Sequence, residues 1–203
     1  MKMEQREMII NSVIELRHLD NETEDSRIVC GYAIKFDSES QNFGGWTEII
    51  RKCAVDEETI MKSDIYARFN HREDTVLARS RYGEGTLALE LREDGLYYEF
   101  EAPHTAIGDE LLEHLKRGEM TTSSFAFTLP KDGSGERWHK KEDGTLFREI
   151  VKIERLYDVS PVYEPAYLET SASKRGMEMV EKDKELSSKY DEMIDEIKKY
   201  MIE

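Results

Sequence analysis

Three Asp-Gly pairs, Asp94-Gly95, Asp132-Gly133 and Asp143-Gly144, punctuate a sequence in which apolar residues alternate with polar or small ones. Asp-Gly suits tight reversals, because such turns need residues that tolerate positive φ. Alternation puts every second side chain on one face of a strand. The two signals together predict a mainly antiparallel β fold. Ile28, Cys30, Tyr32, Ile34 and Phe36 mark one strand, and Gly44-Gly45 hinges into another over Trp46 to Ile50. Ile65, Ala67, Phe69 and His71 share one side of a third, so that His71 ends a strand whose inner face is otherwise apolar. Thr75 to Ser80, Thr86 to Leu91 and Leu96 to Ala102 add three more, the last two joined across Glu93-Asp94-Gly95. Trp138 and His139 lie in a polar hairpin framed by the other two Asp-Gly pairs, and Leu146 to Val162 returns as one long strand or two consecutive ones.

The period changes after Pro103. Ile107, Leu111, Leu112 and Leu115 fall on one face of a helix that Gly118 is placed to close. Val55 to Lys62 carries acidic residues early and a lysine late, which suits a short helix. Ile9, Val13, Ile14 and Leu16 fit either a strand or a short helix. The expected fold is β-rich α+β: an antiparallel, closed or nearly closed β-barrel of about seven or eight strands, with one or two packed helices and a C-terminal helical tail. Closure is expected because it removes exposed strand edges.

Three regions follow. Residues 1–27 form a polar N-terminal segment, 28–170 the barrel domain, and 171–203 a small, polar linker with an amphipathic helix. In that helix Met179, Leu186, Met193 and Tyr200 recur every seven residues. Such a stripe fits a helix that seeks a partner, or one that rests on its own body.

The formal charge of −15 disfavours a nucleic-acid partner, since such proteins display a basic stripe. A run of about 18 apolar residues, which a membrane span would need, is not present, nor is a secretion leader, so the expected site of action is cytoplasmic. Cys30 and Cys53 are expected as reduced thiols. His18, His71, His104, His114 and His139 are far apart and have no close Cys or His partner at ligand spacing, so neither a metal nor another cofactor is expected.

The segment Met120 to Leu129 carries the chemistry. Phe125, Phe127 and Leu129 share the face that anchors in a core, and Ser124, Ala126 and Thr128 share the other, which can hold a hydroxyl out at a groove. A serine attacks an amide only if a base takes its proton, and imidazole is the usual base near neutral pH. His71 is the candidate base for Ser124. A carboxylate on the other ring nitrogen would stabilise the imidazolium. Asp158 is the first choice, because it lies between apolar neighbours where a carboxylate needs a reason to be, and Glu149 is the runner-up. Ser123 is a rival nucleophile but shares the buried face with Phe125, and Cys53 with a histidine is a thiol alternative.

Gly31-Tyr32-Ala33 with Phe36, Gly44 through Ile50, Asn70-His71, Val76-Leu77-Ala78-Arg79, Gly108-Asp109, Arg117-Gly118-Glu119, Ser124-Phe125-Ala126-Phe127, and Asp158-Val159-Ser160-Pro161-Val162 through Pro165-Ala166-Tyr167 occur in one order. In that order the chain resembles the prohead maturation proteases of tailed phages over roughly residues 28–170. It departs from them at Arg51 to Val55, where the family usually has a Pro-Gly-Ala-Phe turn, and at Ala78, where it often has Gly. The resemblance implies a serine endopeptidase related in fold to the herpesvirus assemblins, with Ser124 as nucleophile, His71 as general base and Asp158 as third member. It implies cleavage of the scaffolding segment of the major capsid protein and of the protease itself, in the host cytoplasm inside the assembling prohead. A homodimer or higher oligomer is expected on the same ground. Loss of the tail by self-cleavage near residues 170–176 would fit this reading. Two alternatives use the same residues differently: a non-catalytic scaffold or capsid-binding protein that works through its tail helix, and an esterase or other acyl hydrolase.

Overall fold

A computed structural model describes residues 4–8, 14–16, 26–40 and 42–163. Along the chain these form β1 (Glu4–Met8), β2 (Glu15–Leu16), β3 (Ile28–Lys35), β4 (Trp46–Ile50), α1 (Glu57–Met61), β5 (Asp64–Arg68), β6 (Val76–Arg81), β7 (Glu84–Gly85), β8 (Leu87–Arg92), β9 (Gly95–Glu101), α2 (Ala106–Lys116), β10 (Thr122–Thr128), β11 (Glu136–Lys140), β12 (Leu146–Ile150) and β13 (Arg155–Val162). The heptad helix, its linker and the proposed self-cleavage region lie outside the described residues, as do Ile9, Val13 and the Pro165-Ala166-Tyr167 end of the resemblance.

The β-rich α+β character holds, but the closed or nearly closed barrel does not. The strands form three open sheets: a six-stranded sheet ordered β1-β10-β13-β5-β6-β7, a four-stranded sheet ordered β2-β3-β9-β8, and a three-stranded sheet ordered β11-β12-β4. Two short end strands, β2 and β7, of two residues each, offer little backbone to a stray partner, which limits edge exposure without closure. Nor is the pairing uniformly antiparallel. β12 runs parallel to β4, and β13 runs parallel to β5. These parallel pairs arise because strands far apart in sequence are brought side by side, which no local turn signal announces.

One core joins the two larger sheets and α2. Val29, Ile34, Ile65, Tyr98, Phe125, Phe127 and Leu156 are fully buried in it, with Leu111 supplied by α2. Gly118 ends α2 at φ +68, as the sequence suggested, and at the other end Thr105 caps it by accepting from the Gly108 N–H. The three-stranded sheet keeps a satellite cluster of Trp46, Trp138 and Leu146. The hairpin expected to be polar therefore buries its tryptophan, and its central strand buries Arg148 between Glu48 at 2.7 Å and Glu136 at 2.7 Å.

Candidate active site

β10 lies between β13 and β1 in the six-stranded sheet, with Ser124 opposite Ser160 of β13 and Ala126 opposite Asp158. Alternation therefore puts Ser124 and Asp158 on the same face of neighbouring strands, diagonally related. Phe125 and Phe127 point the other way and stack at 5.3 Å in the core, as the sequence pattern suggested. The face opposite them is not an open groove. Ser124 is 0% exposed and Asp158 2%.

His71 arrives from a third segment. Tyr66 of β5 pairs with Asp158, after which Phe69 to His71 forms a single 3-10 turn. His71 is thus not the end of a strand, because Asn70 at φ +53 and His71 at φ +59 both leave the extended region. Asn tolerates that conformation better than most residues, but two successive non-glycine residues there cost about 1–3 kcal/mol each. The turn carries the imidazole back across the sheet.

There the three groups meet. His71 Nε2 lies 2.5 Å from Ser124 Oγ, and Nδ1 lies 2.9 Å from Asp158 Oδ1. With the ring proton on Nδ1, the imidazole donates to the carboxylate and accepts from the hydroxyl, and it can then take up the hydroxyl proton as the oxygen attacks. Two residues that sequence reasoning passed over hold the carboxylate. Arg68 reaches Asp158 Oδ2 through Nη1 at 3.3 Å, and the Ser160 hydroxyl donates to Asp158 Oδ1. A signal for Ser160 existed: the Asp-x-Ser spacing puts both side chains on one face of a strand.

The rival candidates sit elsewhere. Ser123 is buried on the opposite face, 2.7 Å from the Tyr98 hydroxyl, and burial pushes that phenol above its usual range. Glu149 lies on β12, bound by His139 at 2.8 Å and by Arg51, and these contacts hold its carboxyl below the usual range, His139 most. Cys53 is exposed, with its thiol 3.6 Å from the Val151 carbonyl. Among the described residues no group of three or more His, Cys, Asp or Glu is placed to hold a metal, and no helix is long and apolar enough to cross a membrane.

A buried carboxylate, an imidazole and a serine hydroxyl in line are the parts that serine hydrolases use. The family model of the caudovirus prohead serine proteases (Peptidase_S78) matches residues 12–183. The chain belongs to that family. No curated protein matches it. Among solved structures it is similar to the capsid assembly protease gp21 of bacteriophage T4, at 9% identity and a TM-score of 0.43, over 80% of this chain and 97% of that one.

Proposed function

We propose that the chain is a serine endopeptidase of phage prohead maturation, with Ser124 as nucleophile, His71 as general base and Asp158 as the residue that orients the base. The observation that carries this reading is the continuous hydrogen-bonded line from Asp158 through His71 to Ser124, with contacts of 2.9 and 2.5 Å. The family supports the class of reaction. His71 takes the Ser124 proton as the hydroxyl oxygen bonds to the scissile carbonyl carbon, and returns it to the departing amine. Water then repeats the sequence to release the acyl group and regenerate the hydroxyl.

The substrates in this reading are the scaffolding segment of the major capsid protein and the protease itself, cut inside the assembling particle in the host. A homodimer or higher oligomer is part of the same proposal, as is the division into an N-terminal segment over 1–27, a protease domain over 28–170 and a tail over 171–203. Full burial of Ser124 supports one more element. A peptide carbonyl reaches that oxygen only when covering atoms move aside, so turnover is tied to an opening step that assembly can supply.

Mass spectrometry of the chain incubated with its capsid protein tests the proposal. Wild type is expected to shorten the capsid protein and to lose its own tail, and Ser124→Ala to do neither. Equal cleavage in both preparations would reject Ser124, and intact chains in both, within assembled particles, would favour a scaffold that does not cut.

A further inference from the structure

β5 and β13 share a single register pair, Tyr66 with Asp158. Two residues further along both strands, the Arg68 N–H meets a side chain, the Ser160 hydroxyl, at 2.9 Å. β5 ends at that residue, and the 3-10 turn that carries His71 begins immediately after it. The same Ser160 oxygen that accepts from Arg68 donates its proton to Asp158 Oδ1, the oxygen that faces His71 Nδ1. Ser160 is 0% exposed and lies opposite Ser124 across β10 and β13. A hydroxyl has one proton to donate and lone pairs to accept with, and both capacities are used here.

We infer that Ser160 is a positioning residue, a hydroxyl clamp that fixes the Asp158 carboxylate and the start of the His71 turn at one point, so that carboxylate and imidazole cannot drift apart. This rests on the proposed roles of Ser124, His71 and Asp158. The physical argument is specific to the place. β5 must stop pairing with β13 for the chain to turn back in the left-handed conformation seen at Asn70 and His71. The Arg68 N–H that would be orphaned at that divergence is costly if unmet, and Ser160 satisfies it. An alanine at 160 would free the Arg68 N–H at the start of the turn and remove one hold on the Asp158 carboxylate together, leaving it to His71 Nδ1 at 2.9 Å and Arg68 Nη1 at 3.3 Å. Backbone shifts of an ångström at a reacting pair lower turnover by about 10²-fold.

The test compares Ser160→Ala, Ser160→Thr and Ser160→Cys with wild type and Ser124→Ala, all as full chains, free and in assembled particles. The readouts are kcat and KM for a p-nitrophenyl ester, the rate of labelling by a fluorophosphonate, and the downfield proton resonance of the His71 Nδ1–H. The inference expects Ser160→Ala to lose about 10²-fold in kcat and in labelling, with KM nearly unchanged and the resonance lost or shifted. Ser160→Thr, which keeps the hydroxyl, should recover most of both. Ser160→Cys, close in size but a weak hydrogen-bonding group, should behave like Ala and serves in its place if Ala does not fold. A Ser160→Ala chain that melts lower but keeps the wild-type kcat and resonance overturns the inference, and so does failure of both Ala and Cys variants to fold, which makes Ser160 a framework residue. The resonance reads the clamp even without turnover, and its absence from wild type also overturns it. Ester turnover or labelling that survives Ser124→Ala contradicts the reading of the site itself, and is thereby distinguished from failure of the clamp alone.

Discussion

Tyr66 and Asp158 form the one register pair through which β5 and β13 run side by side, and beyond it the two strands part. That divergence lets a turn from one strand bring an imidazole over a carboxylate on the other. Asp158 is 2% exposed, so its place between the imidazole and the Arg68 guanidinium is what makes a charge there tolerable.

Asp158→Asn tests the orienting role. The amide fits the same space but cannot accept from Nδ1–H with the same strength and can hold the ring in the wrong tautomer. The expected loss in kcat is about 10³–10⁴-fold with little change in melting temperature. Glu149→Gln should leave kcat within a few-fold of wild type, because Glu149, on β12, is already engaged by Arg51 and by His139 of β11. Steady-state kinetics on the two variants decides between them, and the reverse ranking would make Glu149 the third member.

The buried ion cluster of the three-stranded sheet should be among the most sensitive points for stability. Arg148 is 0% exposed, with Glu48 and Glu136 each at 2.7 Å, one from each neighbouring strand. Arg148→Ala leaves two carboxylates in a dry site and is expected to cost about 3–5 kcal/mol in urea unfolding. Arg148→Ala combined with Glu48→Gln should lose less than the single variant.

Asp56 gives a pH dependence of known sign. Its side chain caps α1, accepting from the Thr59 hydroxyl and the Thr59 N–H, and these two bonds, the hydroxyl first, hold its pKa below the ordinary value. A depressed carboxylate contributes stability that is full above the unfolded pKa, about 4, and is lost as pH falls through the lower folded value. Asp56→Ala should therefore cost about 1 kcal/mol at pH 7. The gap between variant and wild type should close as the pH drops below about 4, read from melting curves.

Gly95 is expected to be less replaceable than Gly118. A Cβ at Gly95 would meet the Ile34 carbonyl oxygen at 2.1 Å, a backbone atom that cannot swing away. Gly118 has open space around it and only the cost of its φ of +68. Gly118→Ala should cost about 1 kcal/mol and Gly95→Ala several times that in thermal or urea unfolding, without a specific effect on the site.

These residues also show how far the sequence could be read. Period two placed Phe125 and Phe127 in the core and Ser124 on the other face, because alternation is a local property of a strand. Asp158 stood out on a different ground, as a charge among apolar neighbours, and it is buried at 2% exposure. The positive-φ reading of Asp-Gly held at Gly133 and Gly144 but not at Gly95, which is a glycine because another strand passes close to it. The left-handed turn at His71 was hidden, since the alternation of Ile65, Ala67 and Phe69 ran on past the end of β5. Open sheets in place of a barrel were hidden too. Nothing local in Leu146 to Ile150 says that it will run parallel to Trp46 to Ile50, a hundred residues away, and take its strand out of the larger sheets.

The most direct test of the account is where a fluorophosphonate attaches. After treatment of the chain, free and in assembled particles, peptide mapping by mass spectrometry is expected to find the phosphonyl group on Ser124, with labelling abolished in Ser124→Ala and strongly reduced in His71→Ala. A label on Ser123 or another residue, labelling indifferent to His71, or no label in any state of assembly would contradict the claim that Ser124 and His71 form a working nucleophile and base.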